Sequence, residues 1–229
     1  MTAPRPHVRW PAEMAAPHEQ TDEEAGSARE QLLRAGERLF ARDGIHRVKL
    51  REINDLAGQR NPSAVHYHFG TREGLVDAIL QSHQETIELA MDAGLDRLEA
   101  SGRPASLRDI VATVVHPLVG KLDTESGRDF LRIVPQVIPQ LSANLRRGVA
   151  APATPQSRRV LELLRGHWGD LPEAVQRERQ IAYILMLTAM LADRAHQVES
   201  GWPTTLDAAQ FETHVLDMIA GALGAPSGS

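Results

Sequence analysis

Two short helical patterns joined by a tight turn constrain the fold of this chain more than any other feature. The first pattern carries Leu50, Ile53 and Leu56 at helical spacing. It stops at Gly58, a residue type common just after a helix end. The second pattern, NPSAVHYHF, opens at Asn61, where asparagine suits an N-cap and the following proline suits the first helical position. Two helices across so short a turn predict a helix-turn-helix unit.

A longer amphipathic helix is predicted ahead of this unit, and it supplies the support that a three-helix domain requires. It starts at Ser27, which has capping-box spacing to Glu30, and it ends at Gly44. Its inward face consists of apolar or small residues: Leu32, Ala35, Gly36, Leu39 and Phe40. No convincing alternating strand pattern occurs in the sequence, so we predict an all-α protein.

The domain organisation follows from the change in composition along the chain. Residues 1–26 are rich in Pro, Ala and Glu without periodicity, which predicts a disordered N-terminal arm. We expect the helix-turn-helix domain over 27–82 and a larger helical domain over 83–223. A short flexible tail is expected over 224–229.

The charge of the chain is divided unevenly between these parts. The formal net charge is -5, yet residues 28–80 carry nine Arg or Lys against seven Asp or Glu. This segment is therefore positive by two, and the remainder carries -7. A modestly basic segment on an acidic body fits a protein that offers one face to a polyanion.

Composition excludes several classes of protein. The absence of cysteine rules out disulfide frameworks, thiolate zinc sites and cysteine nucleophiles. The first residues lack an apolar core of signal-peptide type, and the longest apolar run, 181–192, is well short of the roughly 20 residues that a membrane span needs. We expect a soluble, cytoplasmic protein with no membrane partner.

The histidines of NPSAVHYHF raise the alternatives of a metal site and of catalysis. His66 and His68 are two residues apart, so on a helix they diverge by about 200° and cannot readily share one ion. The sequence also lacks a GxSxG elbow, an HExxH motif and a phosphate-cradling glycine loop with lysine. We therefore expect no metal, no cofactor and no enzymatic activity.

The third helix is better explained by a partner outside the protein. Only Val65 and Phe69 are spaced to face inward, which leaves five residues for the exterior or its margins: Ser63, Ala64, His66, Tyr67 and His68. Small residues permit a helix to approach a major groove closely, while hydroxyl and imidazole groups reach phosphates and base edges. The pattern favours double-stranded DNA as the partner.

The segment from about residue 28 to 82 resembles the DNA-binding domain of TetR-family transcriptional regulators. The resemblance rests on A-x-x-L-F-x-x-x-G in the first helix, REI-x-x-LAG in the second, YHF at the end of the third and TREGL at the start of a fourth. It implies a regulator that binds operator DNA as a homodimer and responds to a small-molecule effector in the larger domain.

The resemblance also implies which side chains contact phosphates. Lys49 stands just before the second helix, at a position where the family contacts phosphate. Tyr67 and His68 match the family's phosphate-contacting pair. Thr71 is expected to cap the fourth helix, whose first turn also approaches the DNA backbone.

One residue in the turn departs from the family pattern. The run from AG to YHF is one residue longer than usual, so the turn or the start of the third helix must differ. If the extra residue lies in the turn, Asn61 caps the third helix, and three side chains behind it reach base edges: Ser63, Ala64 and His66. Arg60 precedes the cap and is expected to reach a guanine or a phosphate.

A long helix in the larger domain predicts a second copy of the chain as a partner. The helix is expected from about Pro172 to Glu199, with Asp170 as its cap, and its segment 181–192 is apolar all round. Such a helix is covered on two sides, by its own core and by another copy, or it is buried entirely in a monomer. With a last helix over about 206–223, we expect four interface residues: Leu187, Phe211, Val215 and Met218.

The candidates for effector contacts lie in apolar helical segments, where Tyr and His add single hydrogen-bonding side chains. Tyr183, Met186 and Met190 recur at i, i+3 and i+7, and Met with Tyr makes an adaptable apolar wall. His116 sits in an apolar helix just before a proline. Each of these residues can equally belong to the core, because cores and apolar pockets use the same residue types.

The sequence thus predicts a two-domain, all-helical homodimer: an N-terminal three-helix helix-turn-helix DNA-binding domain and a larger helical ligand-binding and dimerisation domain. Its expected function is sequence-specific regulation of transcription, as a repressor that a small molecule releases from its operator. The alternative is a helical small-molecule-binding or scaffolding protein that does not regulate DNA, since one fold hosts unrelated functions.

Overall fold

The computed structural model describes residues 22–147, 154–169 and 171–226. Within these ranges the chain forms helices and no strand, so the prediction of an all-α protein is confirmed. The α-helices are α1 Asp22–Asp43, α2 Leu50–Leu56, α3 Ala64–Phe69, α4 Arg72–Ala100, α5 Leu107–Val119, α6 Glu125–Arg146, α7 Pro155–Trp168, α8 Glu173–Glu199 and α9 Ala208–Leu223, with a short 3₁₀ helix at Gly120–Asp123.

The first three helices enclose a small core that the start of α4 completes. Leu32 of α1, Ile53 of α2 and Val65 of α3 are fully buried, and Leu75 of α4 packs against them. Gly36 permits this approach, because a Cβ at that position would lie 2.8 Å from a methyl carbon of Leu75. The N-terminal domain therefore depends on α4, a 29-residue helix that continues into the larger domain.

The larger core lies among α4 to α9. Ile110 of α5, Leu191 of α8 and Ile219 of α9 are fully buried in one cluster. The indole Nε1 of the buried Trp168 donates to the carbonyl of Leu223 at 3.2 Å and ties the end of α7 to the end of α9. None of the described helices is both long and apolar enough to cross a membrane.

Several predicted helix boundaries are wrong. The helix α1 begins at Asp22 rather than Ser27, so 22–26 are helical and do not belong to a disordered arm. The Ser27 signal lies inside the helix. The rest of the predicted arm, 1–21, lies outside the described residues, as do 227–229 of the predicted tail.

Boundaries in the larger domain follow the predictions more closely. The Ser106 and Asp109 side chains form a capping box at the start of α5. The helix α6 continues through Pro135 and Pro139 without interruption. The helix α8 begins at Glu173, and the proposed cap at position 170 lies outside the described residues.

Charged residues join the two domains where α6 and α8 meet α1. Arg38 of α1 contacts three carboxylates: Asp129 at 3.2 Å, Glu125 at 3.0 Å and Glu199 at 2.8 Å. We call Arg38 and these three partners the interdomain ion cluster. Asp129 is 2% exposed, and this burial raises its pKa while the Arg38 guanidinium opposes the shift. A buried carboxylate held by a cation from the other domain fixes the domains to each other.

A glutamine of α6 strengthens the same junction. The Gln136 side chain donates from Nε2 to the Phe40 carbonyl at 3.1 Å and accepts from the Ile45 N–H at 2.8 Å. It therefore satisfies backbone groups on both sides of the corner between α1 and α2. The helix α6 thus contacts the segment that leads directly into the helix-turn-helix.

Candidate nucleic-acid interface

The turn between α2 and α3 accommodates the extra residue. Gly58 takes a positive φ of 66° just after α2, and Ser63 is the N-cap of α3. The predicted cap at Asn61 is wrong, because the Asn61 Oδ1 accepts from the Ser63 N–H at 2.9 Å and forms a turn before the helix. The added length therefore lies in the turn, and α3 itself starts at Ala64.

A buried amide on α2 holds this turn in place, and the sequence patterns did not identify it. The Asn54 side chain, 1% exposed, donates to the Pro62 carbonyl at 2.5 Å and accepts from the Val65 N–H at 3.2 Å. It satisfies one of the amide groups that every helix N-terminus leaves unpaired. Asn54 lies four residues after Leu50, on the buried face of α2, and that position is the signal by which it could have been found.

The exposed side of α3 carries most of the residues predicted to contact DNA. Tyr67 is 74% exposed, and Ser63 and His66 are also exposed. The Tyr67 ring stands edge-on to the His68 ring at a centroid distance of 4.9 Å. A large aromatic side chain left in solvent is poorly explained by packing, so α3 presents a surface that is available to a partner.

His68 differs from its neighbours because it is half-buried. Burial lowers its pKa, and the nearby Arg29 guanidinium lowers it further. A neutral imidazole contacts a phosphate as a hydrogen-bond donor and adds no charge. Arg29, whose guanidinium lies 5.1 Å from the centre of the Phe69 ring, is an exposed cation on α1 beside α3 that the motif comparison overlooked.

Lys49 and Thr71 stand at the N-termini of the helices on either side. Lys49 is the N-cap of α2, and its backbone N–H donates to the Glu52 carboxylate at 2.7 Å while its side chain is exposed. Thr71 caps α4 as predicted, because its hydroxyl accepts from the Gly74 N–H at 3.0 Å. Both helix N-termini carry partial positive charge, which favours an anion such as phosphate.

Two predictions on the helix-turn-helix surface are wrong. Ala64 is 4% exposed and packs in the N-terminal core, so its methyl group is not available to a thymine. The N-cap of α3 lies at Ser63, two residues after the predicted cap at Asn61, and Val65 faces inward as predicted. Leu56, predicted to face inward, is 56% exposed at the end of α2. Arg60 and Asn61 are exposed in the turn.

The predicted effector contacts fall in three separate places. Tyr183 is buried and lines a cavity of about 230 Å³ enclosed by α4, α5, α7 and α8. Met186 and Met190 are half-buried against the core and do not line this cavity. His116 is exposed, with its Nε2 3.3 Å from the Glu212 carboxylate, and lines a different surface cleft. The helical spacing that grouped these residues does not bring them together at one cavity.

The predicted interface residues on α8 and α9 also divide into two groups. Leu187 and Val215 are 3% and 0% exposed inside their own chain, so they are core residues and their assignment to an interface is wrong. Phe211 is half-buried, 5.0 Å from the Arg194 guanidinium. Met218 is 47% exposed, and Leu185 on α8 is 43% exposed. Because a helix that is apolar all round has no visible inner face, sequence alone could not tell which of its residues lie in the core of their own chain.

Two helices joined by a glycine-containing turn, the second of them short and exposed, are the arrangement of helix-turn-helix domains. Residues 32–79 match the family model described as bacterial regulatory proteins, tetR family. The N-terminal part of the chain is therefore similar to this family of bacterial regulators.

Two named relatives match a short stretch of the chain. Over 66 residues the chain is 41% identical to the HTH-type transcriptional regulator TtgR of Pseudomonas putida, and this stretch covers 29% of this chain and 31% of that protein. The probable HTH-type transcriptional regulator ArpR of Pseudomonas putida matches with the same identity and coverage. The chain thus matches less than a third of the length of these two relatives.

Solved structures overlap the chain over a greater length. A TetR-family regulator from Streptomyces coelicolor is 20% identical with a TM-score of 0.44, over 91% of this chain and 97% of that one. A probable transcriptional regulatory protein, RHA5900, is 19% identical with a TM-score of 0.49, over 87% and 100% of the two chains.

Proposed function

We propose that this protein is a transcriptional regulator that binds operator DNA as a homodimer in the cytoplasm and is released by a small molecule. The single observation that carries the proposal is α3, whose exposed face presents Tyr67, His66 and Ser63 while Asn54 fixes its start from within. The names of the relatives that match a 66-residue stretch of the chain support a regulator rather than an enzyme.

The residues around α3 divide into two roles on DNA. Lys49, Tyr67, His68 and Thr71 contact phosphates, and they position the domain without reading sequence. Ser63 and His66 reach base edges, since a hydroxyl donates or accepts and an imidazole can donate to a purine N7. Arg60 and Asn61 in the turn contact a base or the DNA backbone. Two such surfaces in a dimer recognise half-sites about one helical turn, or roughly 34 to 36 Å, apart.

The structure offers a direct connection between the cavity and the DNA-binding domain. The helix α8 lines the cavity with Tyr183 and Leu187 and ends at Glu199, which contacts Arg38 of α1 at 2.8 Å. Twelve residues separate Leu187 from Glu199, a distance of about 18 Å along the helix axis. A ligand that displaces α8 therefore moves a partner of Arg38, and it favours the arrangement of the two α3 helices that no longer matches the operator.

The experiment that tests the assignment compares variants on systematically substituted operators, which are first selected from random DNA with the purified protein. Ser63→Ala and His66→Ala should each relax preference at one or two base positions, by about 1 to 3 kcal/mol. Tyr67→Phe should weaken every sequence alike, because phosphate contacts carry no base information. Uniform loss in the Ser63 and His66 variants would assign sequence reading to Arg60 or to DNA shape instead.

A salt titration of DNA binding separates this proposal from the alternative of a scaffolding protein. Operator affinity should fall steeply as salt rises, because phosphate contacts release counterions. A chain that binds small molecules but shows no salt-dependent DNA binding would support the alternative.

A further inference from the structure

We infer that the cavity between α4, α5, α7 and α8 takes a neutral ligand of one or two rings that accepts a single hydrogen bond from Tyr183. A regulatory role for this ligand rests on the proposed function, whereas binding of the ligand to the cavity does not. The inference follows from the volume of the cavity, the chemistry of its wall and the state of one hydroxyl group.

The volume limits the size of the ligand. The cavity measures about 230 Å³. An apolar protein cavity of about 150 Å³ holds benzene, and pockets for drug-sized molecules usually exceed about 300 Å³. The cavity therefore accommodates a fused pair of small rings.

The wall excludes a charged ligand. Eight of the lining residues are apolar: Met91, Val114, Leu118, Val160, Leu161, Leu164, Ile184 and Leu187. The other four are neutral and polar: Ser157, Gln180, Tyr183 and Thr188. No lining side chain can neutralise a carboxylate or an ammonium group, and an unpaired buried charge is too costly to bind.

The nearest acidic side chain does not alter this conclusion. Asp92 follows the wall residue Met91 on α4, but its carboxylate accepts from Arg159 at 3.1 Å and from Gln156 at 2.7 Å. Asp92 is not itself a lining residue. Its charge is paired on the outer side of α4, so it supplies no partner for a cationic ligand.

Tyr183 provides the hydrogen bond that fixes the orientation of the ligand. Its side chain is buried, and burial raises its pKa, so the hydroxyl remains protonated and can donate. Within the described part of the chain this hydroxyl makes no hydrogen bond to a protein group. By contrast, the Thr188 hydroxyl donates to the Ile184 carbonyl at 2.7 Å, and the Ser157 hydroxyl accepts from Thr154 at 3.1 Å.

Because Tyr183 lines the cavity, its hydroxyl can donate to a molecule bound there. The complementary group is a neutral acceptor such as a ketone, an ether or a ring nitrogen. Gln180, also on the wall, can accept or donate and tolerates a second polar atom on the same molecule. The site therefore recognises shape and one acceptor, and it has no means of recognising charge.

Three related probes test this class by calorimetry on the full-length protein at pH 7: 2-acetylnaphthalene, naphthalene and 2-naphthoate. We expect 2-acetylnaphthalene to bind most tightly, and 2-naphthoate at least about 100-fold more weakly because its charge is desolvated without a partner. Tyr183→Phe should weaken 2-acetylnaphthalene about five- to tenfold, the usual effect of one neutral hydrogen bond, and should leave naphthalene unchanged.

The second tyrosine of the chain is the matched control. Tyr67 lies on the exposed face of α3, so Tyr67→Phe should leave the binding of all three probes unchanged. Three results would overturn the inference: equal binding of 2-naphthoate and 2-acetylnaphthalene, an unchanged 2-acetylnaphthalene affinity in Tyr183→Phe, or no binding of either neutral probe.

A DNA-shift assay with the same probes separates this inference from the proposed function. Release of the operator by 2-acetylnaphthalene supports both. Binding of 2-acetylnaphthalene with an intact protein–DNA complex supports the ligand class and overturns release by ligand. If the protein binds the probes with the expected affinities but binds no DNA, the ligand class is supported and the proposed regulatory function is overturned.

Discussion

Replacing Asn54 with leucine should loosen the start of α3 without leaving a hole in the core. Leucine has a similar size and shape, so the change isolates the two hydrogen bonds to Pro62 and Val65. The Val65 N–H remains buried without a partner, which costs about 1 to 3 kcal/mol, while the more exposed Pro62 carbonyl can return to water. With the loss of both bonds, we expect Asn54→Leu to destabilise the domain by about 2 to 3 kcal/mol.

Two measurements check this magnitude. The urea midpoint should fall at matched protein concentration, and amide exchange at Val65 should accelerate roughly 30- to 160-fold, the same free energy expressed as an opening constant. The control is Asn61→Ala, which removes one exposed hydrogen bond from the same turn and should cost about 0.5 kcal/mol. The reasoning is refuted if Asn54→Leu keeps wild-type protection at Val65, or if both variants lose the same stability.

Three further predictions concern DNA affinity, assembly and acid stability. Lys49→Ala should weaken all operators about equally and reduce the salt slope by about 1, whereas Arg177→Ala on α8 should leave the slope unchanged in the same titration. Leu185→Glu should give monomers in sedimentation, while Leu89→Glu, the same change at a more exposed leucine on α4, should leave dimers. The Arg103 guanidinium and the Ser106 cap lower the pKa of Asp109, so its stabilising effect is present above the ordinary value of 3.8 and is lost as pH falls below it. Thermal unfolding from pH 5 to pH 2 should therefore show a smaller loss for Asp109→Asn than for the unmodified protein.

The N-terminal domain was largely predictable because its apolar residues recur at helical spacing and its turns carry glycine. Leu32, Phe40 and Ile53 occupy the core positions that the periodicity assigned to them. Ala64 was placed on the wrong side because alanine occurs both inside proteins and at their surfaces, so its residue type does not reveal its burial. Asn54 was overlooked because a polar residue in an amphipathic pattern is usually exposed, whereas here tertiary hydrogen bonds compensate its burial.

The larger domain was less predictable for a different reason. Periodicity located its helices. It does not show which neighbouring helix each residue of α8 packs against. Leu187 and Leu185 are both leucines in one apolar run, yet one is 3% and the other 43% exposed. The cavity beside Tyr183 is likewise formed by residues from four helices that are distant in sequence.

The interdomain ion cluster has a consequence for the construction of hybrid sensors. A chimera that joins residues 22–82 to the effector domain of another regulator would deprive Arg38 of the carboxylates of Asp129 and Glu199. The reciprocal chimera would leave the buried Asp129 without its cation, a defect that costs several kcal/mol. The two domains of this protein can therefore be exchanged only if both sides of their contact are kept. The foreign domain must carry the arginine, or its acidic partners together with the Gln136 contact. Without these groups, the hybrid will lose stability and will not function as a sensor.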